Sequence, residues 1–546
     1  MRSADCLSLL TAWLAVVHAG SGPGGSTNNS STNVGGSRLP NIILFLVDDL
    51  GYGDLGFTGH PATRTPNLDY FASQGRRLTN WYTAYPVCSA SRTAVLTGRQ
   101  PPRVGMVGVI NSLSKVGLPL SETTIADELR GKAGYATLAL GKWHQGQTPS
   151  YLPAARGFDE FYGLPFSVDD GAGTISSCDM AAPASAAVQH PQVDLGPSLP
   201  LPRLRQVNGT NVIEQQPADL VPLTASWVNH TVDFLQRKVD STPVFVYFAF
   251  GHVHTTGLDQ MQYSGCDWVG STSRGTFGDA LAEVDGAVGT VLAEIERLGQ
   301  AANTLSIFFS DNGPAERWGV QAGDVGIFRG GAAVDAQGIS YMNTGKGSTW
   351  EGGVRMPAFA YWPGTVEAGT VSGTVVSSMD ILPSLVRLAR IEPAATVLDG
   401  KDSLLDAVLR PTSKGDALSN HTFLPFYNNV YIANASREIY AARFGRFKVH
   451  WITSPGLLTA GQVAEELAHD PPIVFDVEAD PAEMYPLDPA LDFLEAVAFA
   501  KAEYEANLTP SAIDPTYGYE WALCCGIGCT PNEEGSCECT CSDVGF

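Results

Sequence analysis

Positive charge is scarce in this sequence. Over 546 residues, 33 Lys and Arg stand against 56 Asp and Glu, a formal net charge of −23. Nucleic-acid binding needs a basic footprint, and this composition excludes it. The chain as a whole offers no attraction to an anionic substrate either, so such a substrate must be held by a local cluster of cations. Charge of either sign is low, at 16% against 44% hydrophobic residues, a globular rather than a disordered composition. Beyond the first 20 residues no apolar run reaches membrane-spanning length, so no transmembrane segment is expected. The early apolar stretch, through Leu9-Leu10 and Ala15-Val16-Val17 behind Arg2 and ahead of Ala19-Gly20, is too short to span. It reads as a secretory signal peptide over residues 1–20.

Cysteine is present in a pattern. Apart from Cys6 in the signal and Cys88, there remain Cys178, Cys266 and a tail cluster of Cys524, Cys525, Cys529, Cys537, Cys539 and Cys541. An even count in a secreted chain points to disulfides, whose connectivity the sequence does not fix. The tail lacks histidines and a clean pair of C-x-x-C hooks, which disfavours a zinc site. Asn-x-Ser/Thr sequons at Asn208, Asn229, Asn420, Asn434 and Asn507, with Asn28 and Asn29 in the leader, fit the same compartment. A lysosomal or extracellular destination is expected, and the oligomeric state, a homo-oligomer included, stays open.

Residues 21–38 form a Gly/Ser-rich flexible leader. From 39 to 398 short apolar runs alternate with helix-like stretches, the pattern of an α/β domain with a mainly parallel sheet. Residues 279–298 read as an amphipathic helix on Leu281, Val284, Val288, Leu292, Ile295 and Leu298, with Gly299 at its end. A smaller α+β domain over 399–523 follows, with a hairpin at Tyr440–Phe444 and Arg446–Trp451 turning near Gly445, a strand at Ile473–Asp476 and a helix from Leu491 to Ala506. Residues 524–546 are the disulfide tail.

Four apolar runs of the first domain end abruptly in ionisable residues. Ile42–Val47 meets Asp48-Asp49, and Ala136–Leu140 leads through Gly141 to Lys142 and His144. Val244–Phe250 leads to His252 and His254, and Ser306–Phe309 meets Ser310-Asp311-Asn312. In open α/β sheets ligands bind outside the carboxyl ends of the strands, so these endings should share one mouth. The aspartates and the Asn amide are hard oxygen donors suited to Ca²⁺, or to Mg²⁺. Two acidic endings facing each other would repel without a cation between them. Lys142, His144 and His254 add cations and proton carriers for an anion. The helix-like segment from Ser89 adds its N-terminal amides, and Gly345-Lys346-Gly347 adds another lysine.

The run Cys88-Ser89-Ala90-Ser91-Arg92-Thr93-Ala94-Val95-Leu96-Thr97-Gly98-Arg99 resembles the sulfatase signature C-x-P-S-R-x-x-x-L-T-G-R. With Asp48–Asp54, Gly141–His144, Ser310–Pro314 and Gly345–Gly347, the chain from about residue 40 to the tail resembles the type I sulfatases, their arylsulfatase members most closely. The resemblance implies an alkaline-phosphatase-like large domain with the sheet between helices, a smaller domain with an antiparallel sheet, and a sulfuric ester hydrolase. It implies oxidation of Cys88 to formylglycine (3-oxoalanine) by a formylglycine-generating enzyme during synthesis. Asp48, Asp49, Asp311 and Asn312 would bind Ca²⁺ with residue 88 completing the shell. Arg92 would hold the residue-88 hydrate, and Lys142, Ser167, His254 and Lys346 would contact the sulfate of a small aryl, sugar or glycolipid ester. One hydrate hydroxyl would attack sulfur, His254 would protonate the leaving alcohol, and His144 would take the second hydroxyl's proton so that sulfate is eliminated.

Three positions depart from the family pattern: Ala90 replaces the signature Pro, Thr344 stands where the arylsulfatases have a cysteine, and Val168 rather than His follows Ser167. The last change should alter the wall beside the sulfate. Two competing readings are a catalytically silent binding protein, if Cys88 remained a thiol, and a phosphate ester hydrolase of related architecture, which a Ser or Thr at position 88 would have favoured.

Overall fold

The computed structural model describes residues 38–178, 199–207, 209–257, 261–329, 344–416, 419–428, 438–457, 466–512, 516–517 and 523. The signal peptide, the leader up to residue 37, the sequons at Asn28, Asn29, Asn208 and Asn434, and the six tail cysteines lie outside the described residues.

Five parallel strands form the centre of the molecule: β1 (Asn41–Val47), β2 (Ala136–Lys142), β3 (Glu160–Leu164), β4 (Val244–Ala249) and β5 (Thr304–Ser310). Their spatial order is β5-β1-β4-β2-β3 within a ten-stranded sheet, and the strands that flank them on the two sides, Ala358–Tyr361 and Arg203–Val207, run antiparallel to them. Every residue of β1 is buried. Ile42, Leu44 and Leu46 enter one apolar cluster, and Ile43, Phe45 and Val47 the other. A strand covered on both faces reads as a continuous apolar run, which is why β1 lacks alternation.

One face is covered by α2 (Leu223–Lys238) and α3 (Gly275–Arg297) through Trp227, Phe234, Leu281, Val284, Val288 and Ile295. The other is covered partly by α1 (Cys88–Thr97) through Val95 and Leu96. The helix expected at 279–298 therefore begins four residues earlier, at Gly275, and Gly299 follows its end with φ +68°.

The C-terminal unit is an antiparallel sheet in the order β6 (Leu424–Tyr427), β7 (Ile439–Phe444), β8 (Phe447–Thr453) and β9 (Leu467–Asp476). The hairpin turns at Gly445, whose φ of +61° favours glycine. The strand expected at 473–476 is the end of the longer β9, and α4 (Leu491–Asn507) packs on the sheet through Phe493 and Val497. A buried ionic network ties this sheet to the large unit. Lys448 Nζ lies 2.9 Å from Glu351 and 3.4 Å from Glu483, His450 Nε2 lies 2.7 Å from Glu483, and Arg355 lies 3.0 Å from Glu351. Cys178 and Cys266 form a disulfide.

Candidate active site

Register brings the four expected strand endings together. β1 and β5 pair Val47 with Ser310, so Asp48-Asp49 and Asp311-Asn312 leave the sheet side by side. β4 lies against β1 on the other side and β2 against β4. The Asp48 amide donates to the His252 carbonyl at 2.8 Å, which fixes the β4 loop carrying His254 to the β1 loop. β2 does not stop before its glycine, as expected, but continues through Gly141 to Lys142. Gly141 has φ +79°, and a Cβ there would lie 1.8 Å from the Ala249 carbonyl oxygen. Only glycine lets the strand carry Lys142 into the site at that spacing.

Helix α1 begins at Cys88 and lays its first turn over these endings. The Cys88 thiol is buried, 3.5 Å from Asp48 Oδ1 and 3.1 Å from Lys346 Nζ. One turn on, the Arg92 Nε donates to Asp311 Oδ2 at 3.0 Å and its Nη1 to the Lys142 carbonyl at 2.8 Å. Lys142 Nζ donates to Asp48 Oδ2 at 2.5 Å, and Lys346 Nζ to Asp49 Oδ2 at 2.9 Å. Ala90 packs among Tyr85, Val87 and Val107, inside the core behind Cys88.

Burial and crowding set the protonation states. Desolvation pushes the Asp48 carboxyl up, but Lys142, Arg92, His254 and Lys346 together hold it well below its usual value. Asp311 is pushed up to about 7 by burial and by Asp48, against the pull of Arg92. Burial and the neighbouring Asp48 raise the Cys88 thiol far above its usual range, so an unmodified Cys88 is a poor nucleophile. His144 is held well below the usual imidazole value by burial and by Lys142. Its Nε2 hydrogen-bonds the Ile110 carbonyl at 2.7 Å, which requires the proton on Nε2 and leaves the buried Nδ1, unpartnered among the described residues, as the proton acceptor.

The donor set fits a hard divalent cation. Sγ of Cys88 with one oxygen each of Asp48 and Asp311, and Sγ with one oxygen of Asp49 and a His254 nitrogen, are two groups of ligand atoms lying within 4.8 Å of one another. Asn312 Nδ2 donates to Asp49 Oδ1 at 2.7 Å, while Asn312 Oδ1 is buried without a partner among the described residues. Three clustered carboxylates with an orphaned amide oxygen match a calcium or magnesium site.

The family model for sulfatases matches residues 40–391, and that for the C-terminal region of aryl-sulfatase matches residues 419–541. The chain belongs to the sulfatase family. It is 36% identical over 526 residues to human arylsulfatase A, covering 92% of this chain and 96% of that protein. Identity to mouse steryl-sulfatase is 33%, covering 87% and 83%. Among solved structures, the PsFucS1 sulfatase from Pseudoalteromonas sp. superposes with a TM-score of 0.71 at 26% identity, covering 94% of this chain and 97% of that one. The chain is thus a sulfuric ester hydrolase with the alkaline-phosphatase-like sulfatase fold.

One expectation about this sulfatase's site needs revision. Val168 does not form the wall beside the site, because it packs into the apolar core with Leu164 and Phe166. Ser167 donates its hydroxyl to Asp169. The residues that reach the histidines are Asp169, with Oδ1 3.8 Å from His254 Nδ1, and Asp170, with Oδ2 3.6 Å from His144 Nε2. Both follow β3, a fifth strand end at the same mouth, and the largely apolar run Phe161–Val168 ending in two aspartates was its signal. Gln145 was also missed. Its amide donates to the Ser89 carbonyl at 2.8 Å and its Oε1 accepts from Thr93, pinning the His144 loop to α1.

Proposed function

We propose that this sulfatase cleaves the sulfate ester of a small aryl, sugar or lipid-linked alcohol using a formylglycine derived from Cys88 beside Ca²⁺ held by Asp48, Asp49, Asp311 and Asn312. The observation that carries this reading is the placement of Cys88. Its side chain lies between a carboxylate of the metal cluster and the Lys346 ammonium, at the first turn of a buried helix. A buried thiol held protonated there has no evident chemistry, whereas a hydrated aldehyde would supply one hydroxyl to attack sulfur and a second whose deprotonation would expel sulfate and restore the aldehyde. The cation, when bound, supplies positive charge that acidifies the attacking hydroxyl and offsets the crowded carboxylates.

The remaining work falls to the chain's own residues. Lys142 and Lys346 are the buried ammoniums next to position 88, and they hold the sulfate oxygens. Arg92, fixed by Asp311 and the Lys142 carbonyl, keeps the position-88 side chain in place. His254, whose Nδ1 bonds the Thr255 carbonyl at 2.6 Å, presents Nε2 toward the reaction centre and gives its proton to the departing alcohol oxygen. His144 takes a proton at Nδ1. Ser167, beside His254 through Asp169, contacts the sulfate as well. Exposed sequons at Asn229, Asn420 and Asn507 and the Cys178–Cys266 disulfide support a secretory route, lysosomal or extracellular. No helix of the described residues is long and apolar enough to cross a membrane.

Mass spectrometry of the peptide spanning Cys88, from protein made in a host that modifies sulfatases, tests the central claim. An unmodified thiol in an active preparation would refute the nucleophile. Preference for an aryl phosphate over the matching aryl sulfate would refute the substrate class.

A further inference from the structure

His252 and His254 leave the same strand end, but the structure gives them different surroundings. His254 faces the carboxylates, with Nε2 3.5 Å from Asp49 Oδ2. The His252 ring is turned instead to the helices that cover one face of the sheet. Its Nε2 lies 3.0 Å from Glu283 Oε2 on α3 and 3.1 Å from Thr224 Oγ1 in the first turn of α2. Facing a carboxylate, that nitrogen is the hydrogen-bond donor. Tyr263 packs on the ring, with centroids 4.2 Å apart. His252 is fully buried and its Nδ1 has no partner among the described residues, so hydrogen bonding fixes the ring through Nε2.

Glu283 is out of keeping with the rest of α3. It stands beside Ala280, Leu281 and Val284 on the buried side of the helix, with 4% of its side chain exposed. A buried carboxylate is unfavourable unless it is hydrogen-bonded. Its Oε2 takes two bonds, one from His252 and one from the Gly265 amide at 2.8 Å. Main-chain bonds tie the same segment to the end of β1. The Asp48 amide donates to the His252 carbonyl and the Val253 amide to the Asp48 carbonyl, each at 2.8 Å. These bonds set the spacing of the segment from Asp48 along the sheet. The His252–Glu283 bond anchors it to the helical layer as well, two residues before His254.

We propose that His252 and Glu283, with Thr224, are positioning residues for sulfate-ester cleavage, holding the segment 252–254 so that His254 Nε2 meets the departing alcohol oxygen. The inference rests on the proton-donor role given to His254 above. A misplacement of about 1 Å costs a positioned group much of its effect. For a proton donor the loss grows with the basicity of the oxygen it must protonate.

Phenyl sulfate and 4-nitrophenyl sulfate carry the same sulfate on leaving groups of high and low basicity. The ratio of their kcat/KM values on the intact enzyme does not depend on how much of a variant is folded. His252→Ala and Glu283→Ala should each lower kcat/KM for phenyl sulfate about tenfold more than for 4-nitrophenyl sulfate. Glu283→Gln, which keeps an acceptor for His252, should hold the ratio within about twofold of wild type. A merely structural role would slow both substrates alike, so an unchanged ratio in both alanine variants overturns the proposal. A ratio altered as far in Glu283→Gln as in Glu283→Ala overturns it too. The His254→Ala enzyme separates these outcomes from failure of the reading beneath them. Its ratio should shift at least as far, and Glu283→Ala added to it should shift the ratio no further. If His254→Ala leaves the ratio unchanged, His254 is not the donor and both readings fall. If it shifts the ratio while the His252 and Glu283 variants do not, only the positioning role falls.

Discussion

Asp49 and His144 both sit in left-handed backbone, with φ of 58° and 56°. Non-glycine residues there carry strain of about 1–3 kcal/mol, which persists where surrounding structure dictates the conformation. Here the cause is visible. The Asp49 amide donates to Asp311 at 3.2 Å, and the His144 amide donates to the Pro165 carbonyl at 3.0 Å. Each twist turns a side chain at a strand end back toward Cys88. For His144 the twist also places Nε2 on the Ile110 carbonyl, which fixes the tautomer. His144→Ala is expected to lower kcat by about 10²–10⁴-fold with KM little changed, read by steady-state kinetics on an aryl sulfate. Because its pKa is held well below the ordinary 6.5, His144 remains a neutral acceptor as pH falls through 6.5 and loses that role only below its lowered value. The wild-type kcat attributable to this step should therefore not drop on crossing pH 6.5, and a pH profile of kcat that falls by half there would contradict the assignment. Lys346→Ala removes the ammonium nearest position 88 and should cost about 10²–10³-fold in kcat/KM.

At the level of elements, the legible part of the site was set by how strands end. β1, β4 and β5 are apolar runs that stop at charged or amide residues, and a parallel sheet buried on both faces leaves nowhere else for those residues to go. β3 was harder to see because Glu160 opens it and Gly163 and Pro165 interrupt it, so Asp169 and Asp170 arrive five and six residues after its last residue, Leu164. Glu160 is compatible with a strand only because Arg237 and His230 meet its carboxylate, a long-range pairing that no local pattern announces. The Ile110 carbonyl is likewise a backbone contact with no sequence signature. β2 shows the reverse case, since Gly141 reads as a break and instead permits the strand to continue. Gly141→Ala should destabilise the protein by about 2–4 kcal/mol, measured by denaturant unfolding, and displace Lys142 from Asp48. The network between the large sheet and β8 makes a second prediction. Lys448→Met leaves Glu351 and Glu483 short of a buried cation, at a cost of about 3 kcal/mol. In the wild type, desolvation pushes Glu351 up, but Lys448, Arg355 and Arg443 bring it down to about 2. A carboxyl lowered in this way stabilises the fold above the ordinary value of 4.5 and loses that contribution as pH falls through about 2. The gap in Tm between wild type and Lys448→Met should therefore be full at pH 7 and shrink as pH falls below 4.5.

Across the whole molecule acid is in excess, but at the buried site it is matched by cations. Asp48, Asp49 and Asp311 share the site with Arg92, Lys142 and Lys346, and the two lysines nearest the reacting side chain are bound to carboxylates. An ammonium clamped by a carboxylate at 2.5 Å is poorly placed to hold a sulfate oxygen. A divalent cation among the carboxylates would take over their charge and free both lysines to face the substrate, so metal and substrate affinity should be coupled. It would also stabilise the fold, because a site made of strand ends from β1 and β5 with α1 does not exist in the unfolded chain. Binding only to the folded state adds about 2.7 kcal/mol at a hundredfold excess over Kd. Chelation should accordingly lower Tm and weaken binding of inorganic sulfate together, and added Ca²⁺ should restore both. Asp311→Asn should make both quantities much less sensitive to chelator. Isothermal titration of sulfate with and without Ca²⁺, alongside calorimetric Tm, separates the possibilities. If Tm falls on chelation while sulfate affinity does not, the cation is structural and the lysines are available without it.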